Sequence, residues 1–206
     1  HWELCICDDN SSMDIVRSIL NDYSSNDSRI KTVFRKKNGH ISNASNDALE
    51  LAKGDFVALL DHDDLLANDA LYWVAKATQK HPFANLVYSD EDKIDENGRR
   101  SCPHFKPAFN IDLLLSYNFI SHLGVYRKTT LQEIGGFRVG LEGSQDHDLA
   151  LRTVLKSSPD QIVHVPRILY HWRIHPESTA SDPNSKDYTS ERGLKAVQHY
   201  LDEQQK

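Results

Sequence analysis

The chain has 206 residues, 39% of them hydrophobic, and a formal net charge of −6 at neutral pH. That size and apolar content suit one compact domain with a sizeable core, and the dispersed Lys and Arg exclude wholesale nucleic-acid binding. No window approaches the ~18 continuous apolar residues of a membrane span and no leader pattern stands at the start; three cysteines without CxxC spacing, Cys5, Cys7 and Cys102, point to reduced thiols and a cytosolic setting.

In chain order, WELCICDD (2–9) alternates and then ends in carboxylates, which predicts a strand. MDIVRSILNDY (13–23) has apolar residues at helical spacing behind an Asn10-Ser11-Ser12 cap. IKTVFRK (30–36) reads as a short strand and SNASNDALELAKG (42–54) as a helix closed by Gly54. DFVALLD (55–61) is almost wholly apolar, as expected for the buried middle of a parallel sheet. NDALYWVAKATQKH (68–81) reads as a helix capped by Asn68, and ANLVYSD (84–90) as a strand. Residues 1–90 therefore alternate β-α-β-α-β-α-β, which predicts an α/β sandwich around a mainly parallel sheet.

The second half is less regular. Asn97-Gly98 marks a hairpin turn. DLLLSYNFISHLGVYRK predicts a short helix and then a strand, and LQEIGGF a helix ending at a glycine turn. DHDLALRTVLKS (146–157) is an amphipathic helix and IVHVPRILYHWRIH a closing strand. A polar stretch, PESTASDPNSKDY, precedes a last helix from about Thr189. With no repeat, linker or internal boundary, one domain over 1–206 is expected.

The chemistry concentrates in FVALLDHDDLL (56–66), where an apolar run meets Asp61, His62, Asp63 and Asp64. Crowded carboxylates repel and are costly to bury unpaired, so a cation is expected among them. In a strand, Asp61 and Asp63 would point the same way, about 6.5 Å apart. One can take a metal and the other a hydroxyl, and such oxygen donors suit Mg²⁺ or Mn²⁺. Ligands of parallel sheets bind beyond the carboxyl ends of the strands, and three predicted strands end in acid: Asp8-Asp9, Asp61–Asp64 and Asp90-Glu91-Asp92.

Other candidates carry two readings each. Asp9 either accepts from a base N–H or caps the next helix. Asp146 is either a general base or a helix cap, and Asp148 competes with it unless Arg152 takes Asp148 at i+4. His171, Trp172, Arg173 and His175 lie past a strand end, where both histidines could give nitrogen to a metal. Arg35-Lys36-Lys37 is either a solvated turn or a phosphate-facing patch. Trp172, Tyr117 and Phe119 either offer an aromatic face to a ligand or pack in the core.

Taken together, CDDNS, NGHISNASNDALELAKGDFVALLDHDD, YSDEDKID, FKPAFNIDLLLSYNFISHLGVYR, IGGFR, EGSQDHDLALR and ILYHWRIHPESTA resemble, in order, the family 2 inverting glycosyltransferases of GT-A fold, especially bacterial polysaccharide and O-antigen types, rhamnosyltransferases among them. The resemblance implies a Rossmann-like sandwich with helices on both faces. It implies transfer of a sugar from a nucleotide-diphosphate donor to a hydroxyl of a glycan or lipid-linked acceptor, with Mn²⁺ or Mg²⁺. Residue by residue, it gives Asp9 to the nucleotide base, Asn38 and Asn43 to the loop beside the nucleotide, and Asp61 to the ribose. Asp63 and His175 fall to the metal, with His171 and Arg173 as further metal or diphosphate contacts. Asp146 becomes the catalytic base, behind Gln145 where many relatives carry Glu. Asp90, Glu91 and Trp172 are candidate acceptor or sugar contacts. The implied location is cytoplasmic, with at most peripheral association at the inner face of the cell membrane.

One departure stands out. The family resembled places a strand and a helix ahead of the segment equivalent to 2–9, so the expectation is an N-terminally truncated sheet, its central strand missing or supplied by another segment or chain. Backbone pairing between 2–8 and 55–61 would contradict a missing strand. Two rival functions remain at this point. One is a nucleotide-sugar binding fragment without activity. The other is a phosphohydrolase of the aspartyl-phosphate type, disfavoured by Leu65 where Thr or Val is wanted.

Overall fold

A computed structural model describes residues 1–174 and 187–205. The predicted alternation is present. Strand β1 (Leu4–Asp8), helix α1 (Asp14–Asn26), strand β2 (Ile30–Phe34) and helix α2 (His40–Leu51) come first. β3 (Phe56–Ala58), β4 (Leu65–Leu66), α3 (Ala70–Lys80) and β5 (Leu86–Ile94) follow. The second half supplies β6 (Arg100–His104), α4 (Ile111–Ser116), β7 (Gly124–Arg127), α5 (Lys128–Glu133), α6 (Gln145–Leu155), β8 (Ile162–Arg173) and α7 (Asp187–Gln204). Among the described residues no helix is long and apolar enough to cross a membrane.

The strands form two sheets. β1 and β2 pair in parallel as a two-stranded sheet, and the larger sheet has the order β3-β7-β5-β8-β4, with β6 added to the far end of β5. The α/β class holds, but the mainly parallel sheet needs correction. In the larger sheet only β5–β8 is a parallel pair, while β3–β7, β5–β7, β5–β6 and β4–β8 are antiparallel. An apolar run reports burial on both faces, not the direction of its neighbour. β3, β5 and β8 do share one direction, because β7 lies reversed between β3 and β5. β1 pairs with β2 alone and β3 with β7 alone among the described residues, so the pairing that would contradict a missing central strand is not found.

Burial follows β5. Leu86 and Tyr88 face a cluster with Leu114, Phe119, Tyr126 and Leu149, contributed by α4, β7, α6 and the segment before β7. Val87 faces the opposite cluster, with Ala70, Leu123, Val125, Leu169 and Tyr170. Alternate side chains of one strand thus enter two cores, each fully buried aliphatic side chain stabilising by about 1.5–3 kcal/mol. α1 contrasts with this: it buries no residue, and Ile15, Ile19 and Tyr23 stand exposed at helical spacing.

Several boundaries moved for local reasons. α1 starts behind Met13 with no side-chain cap, because the Ser11 N–H is taken by Asp8. α2 stops at Leu51, short of Gly54, where the Glu3 carboxylate accepts from the N–H groups of Lys53 and Gly54. α3 begins after Asp69, not Asn68, and Asp69 accepts from the Trp73 indole at 2.8 Å. β5 runs on through Asp90-Glu91-Asp92 to the hairpin at Asn97-Gly98, where Gly98 takes φ 75°.

Candidate active site

The start of β1 with the residues before it, β3 and the loop after it, the start of α6 and the end of β8 border one cleft of about 1450 Å³, whose lining does not include Asp9, Asn38 or Asn43. Asp61, Asp63, His122, Gln145, Asp146 and Trp172 all line it. The sequence-predicted DxD acids and Asp146 are thus brought together, while His175 lies outside the described residues.

The loop at 61–64 is shaped by β8. The phenol of buried Tyr170 accepts from the Asp61 N–H at 3.2 Å and donates to Asp64 at 2.6 Å. Asp64 also accepts from the Arg173 N–H at 2.7 Å, and the Arg173 guanidinium donates to the Asp63 carbonyl at 2.6 Å. Arg173 therefore braces this loop. Burial, then the bond to Asp64, holds the Tyr170 phenol far above its ordinary pKa, so it remains a donor.

Three acids that look alike in sequence are unlike in space. Asp64 is buried and structural. Asp61 opens to the cleft, where desolvation and then the carboxylates of Asp64, Asp146 and Asp63 push its carboxyl upward against the pull of His122. Ligand atoms of Asp61, Asp64 and His122 lie within 4.8 Å of one another. Carboxylate oxygens with one imidazole suit a hard divalent ion. The donor set fits Mg²⁺ or Mn²⁺, with His122 a donor that the sequence reading missed. Asp63 is on the same loop, with its Oδ1 3.9 Å from the His62 Nδ1.

Asp146 and Asp148 separate cleanly. Asp148 is 1% exposed and bound to the Arg152 guanidinium at 2.7 Å, the i+4 pairing weighed above. Asp146, in the first turn of α6, lines the cleft, and its Oδ2 accepts from the Asn118 amide at 2.7 Å. No local pattern connects Asn118 to Asp146, so Asn118 also escaped the sequence reading.

Just past β1, Asp9 accepts from the Gly39 N–H at 2.9 Å and pairs with the Arg35 guanidinium at 2.9 Å. Asn38 donates to the Asp9 carbonyl at 3.2 Å. Asn43 turns inward and donates to the Gly39 carbonyl at 2.8 Å. Asp9 thus ties β1 to the loop before α2, and neither it nor Asp8 caps α1. Arg35 also pairs with Asp47, which takes it out of the phosphate-facing trio, while Lys36 and Lys37 stay exposed.

Two expectations are corrected. Asp90-Glu91-Asp92 is not an acidic strand end but the buried middle of β5. Asp90 bonds His164 at 2.8 Å, Glu91 bonds Lys106 at 3.0 Å, and Asp92 bonds Arg100 and His171, each at 2.6 Å. Burial with these partners speaks against sugar contact by Asp90 and Glu91. His171 is likewise buried against Asp92, away from the donors around Asp61, so it does not serve as the fallback metal ligand. Trp172 borders the cleft, 5.6 Å from the His122 ring, and also packs against the core cluster around Leu169 and Tyr170. Phe119 is fully buried, whereas Tyr117 is exposed.

Comparison with known proteins places the chain in a family and a fold. The model of the family described as Glycosyl transferase family 2 matches residues 1–135. The O-antigen biosynthesis protein RfbC of Myxococcus xanthus is 36% identical over 97% of this chain and 16% of its own length. The protein y4gI of Sinorhizobium fredii is 47% identical over 98% of this chain and 22% of its own. The chain thus spans about a fifth of these relatives. Among solved structures, S. aureus TarS 1–349 in complex with UDP-GlcNAc superposes with a TM-score of 0.72 at 19% identity, covering 97% of this chain and 57% of that one, a likeness of fold.

Proposed function

From a chain that belongs to glycosyl transferase family 2, we propose inverting transfer of a sugar from a nucleotide-diphosphate donor to a hydroxyl of a glycan or lipid-linked acceptor, in the synthesis of a cell-surface polysaccharide. Family membership displaces the phosphohydrolase alternative. The observation that carries the reading is the split between the two acids of α6: Asp146 opens onto the cleft that Asp61 and Asp63 share, and Asp148 is buried on Arg152.

In this reading Asp146 accepts the proton of the acceptor hydroxyl as its oxygen attacks the anomeric carbon. The bond from that carbon to the donor phosphate breaks on the opposite face, the nucleoside diphosphate leaves with the electron pair, and the anomeric centre inverts. Asp9, Asn38 and Asn43 border the base and ribose, and Asp61 the ribose. A divalent cation would be held by Asp61 and His122, whose ligand atoms cluster with one of Asp64, and by Asp63 on the same loop, and would supply positive charge beside the diphosphate. Trp172 offers a ring face to the sugar. The same reading puts the domain in the cytoplasm, at most peripherally at the membrane.

A thermal-shift panel of UDP, GDP, dTDP and CDP, each with and without Mn²⁺, tests the donor site. At ~100 times its dissociation constant, the fitting nucleotide should stabilise the fold by about 2.7 kcal/mol. The shift should need the metal and vanish in Asp63→Ala. Asp146→Asn should keep the shift and lose transfer. A folded protein that responds to none of the four overturns the donor site; binding without transfer by the wild type favours the nucleotide-sugar binding fragment.

A further inference from the structure

Between α4 and β7 runs a short loop, residues 118–122, that reaches both ends of the chemistry. At one end the Asn118 amide donates to Asp146 at 2.7 Å. At the other, His122 Nε2 lies 3.9 Å from an Asp61 oxygen, with its ring stacked on Tyr170 at 4.4 Å.

The loop is fastened from beneath. Phe119 and Ile120 are fully buried between its two working residues. Lys106, its side chain 0% exposed, sits under the loop and donates to Glu91 at 3.0 Å, to the Ile120 carbonyl at 2.6 Å and to the His122 carbonyl. Three N–H groups meet three acceptors, so the buried ammonium is satisfied. Glu91 accepts in turn from the His122 N–H at 2.9 Å. Inside the loop, Asn118 Oδ1 accepts from the Ser121 N–H at 3.2 Å, and Ser121 takes φ 36°, a conformation that a non-glycine residue keeps only when its surroundings fix it.

An ion pair this deeply buried is weak evidence for stability, since desolvation offsets its attraction. What it achieves here is location. A carboxylate at a helix start rotates freely unless one oxygen is tied, and Asn118 ties one oxygen of Asp146 and leaves the other open. We infer that the 118–122 loop, clamped by the Lys106–Glu91 pair, is the positioning element of this site, and that it acts on Asp146 through Asn118. The inference rests on Asp146 being the base, but Asn118 itself need touch no substrate.

The decisive variant is Asn118→Asp. It keeps the shape and the acceptor for the Ser121 N–H, but it replaces the donor to Asp146 with a second carboxylate. Transfer would be followed as nucleoside diphosphate release from whichever of UDP-glucose, UDP-N-acetylglucosamine, GDP-mannose and dTDP-rhamnose is turned over. Asn118→Asp should lower kcat by about 100-fold with donor KM within about twofold, and fall below Asn118→Ala; a role in shape alone would make the isosteric Asp the milder change. In an Asp146→Asn background, Asn118→Ala should change the residual rate less than about twofold, because no base is left to position. Wild-type kcat in Asn118→Asp, with Asp146→Asn inactive, overturns the positioning role alone. An active Asp146→Asn instead overturns the base assignment. The contact is also read without turnover: the melting losses of Asn118→Ala and Asp146→Ala should fail to add in the double variant, and additive losses would count against the contact.

Discussion

The first 58 residues and the body that follows are built to different standards. Along β1, α1, β2, α2 and β3, only Asp8 and Ser42 are buried, whereas every residue from Ala84 to Asp92 along β5 is. Both regions border the same cleft. Asp9 and Asn38, which the proposed function gives to the nucleotide, lie on a thin layer of two strands and two helices. Asp146 and the 61–64 loop, where the proposed chemistry would take place, belong to the body built on the doubly covered strands β5 and β8. Regions with few buried apolar groups open at lower free energy than cores do. The segment around Asp9 should therefore open more readily than the body that carries Asp146.

That contrast can be broken most directly by truncating one leucine in each region. Leu86→Ala, on a side chain with no exposure, should cost about 2–5 kcal/mol in urea unfolding. Leu20→Ala, on a helix that buries no residue, should cost under about 1 kcal/mol. Equal losses would mean that the two regions share one core after all.

A smaller effect tests the joint between them. Asn46 on α2 donates to the Phe137 carbonyl and accepts from the Phe137 N–H, both at 2.8 Å. Gly136, at φ 66°, leaves the space this requires, since a Cβ there would lie 2.5 Å from the Asn46 oxygen. Asn46→Ala should cost about 1–2 kcal/mol. Its signature in hydrogen exchange should be faster exchange along α2 with β5 unchanged; uniform acceleration would show that the two regions open together.

The smallest effect is one of pH. Partial burial raises the Glu3 carboxyl, but Lys31 and the N–H groups of Lys53 and Gly54 more than offset this and hold it at about 2. A depressed native value stabilises above the unfolded value of about 4.3 and is lost as the pH falls through the native one. Between about pH 4.3 and 2, β1 should therefore loosen from the turn after α2 before the body unfolds. Glu3→Gln should flatten that dependence in a pH series of melting curves, and an unchanged slope would remove Glu3 from the account.

Much of this was legible in the sequence, and the gaps have physical causes. Apolar runs announced β5 and β8, helical spacing announced α3 and α6, and the acids at 61–64 stood out as charge where burial was due, whereas Asp146 was separated from Asp148 only by the family resemblance. Local pattern could not rank the acids. Asp64 looked as available as Asp63 until Tyr170 and Arg173, more than a hundred positions away, were seen to hold it. Asp90, Glu91 and Asp92 read as a rim because their partners His164, Lys106, Arg100 and His171 come later in the chain. Strand direction was hidden for the same reason: an apolar run such as that of β7 packs equally well beside a neighbour of either sense.

The two sheets exchange no ladder hydrogen bonds among the described residues, and one edge each of β1 and β3 meets no strand. Unpaired N–H and C=O groups in a row are a template for another chain. The consequence is colloidal as much as structural. The isolated polypeptide should self-associate as its concentration rises, and lysines placed along either open edge should restore its solubility.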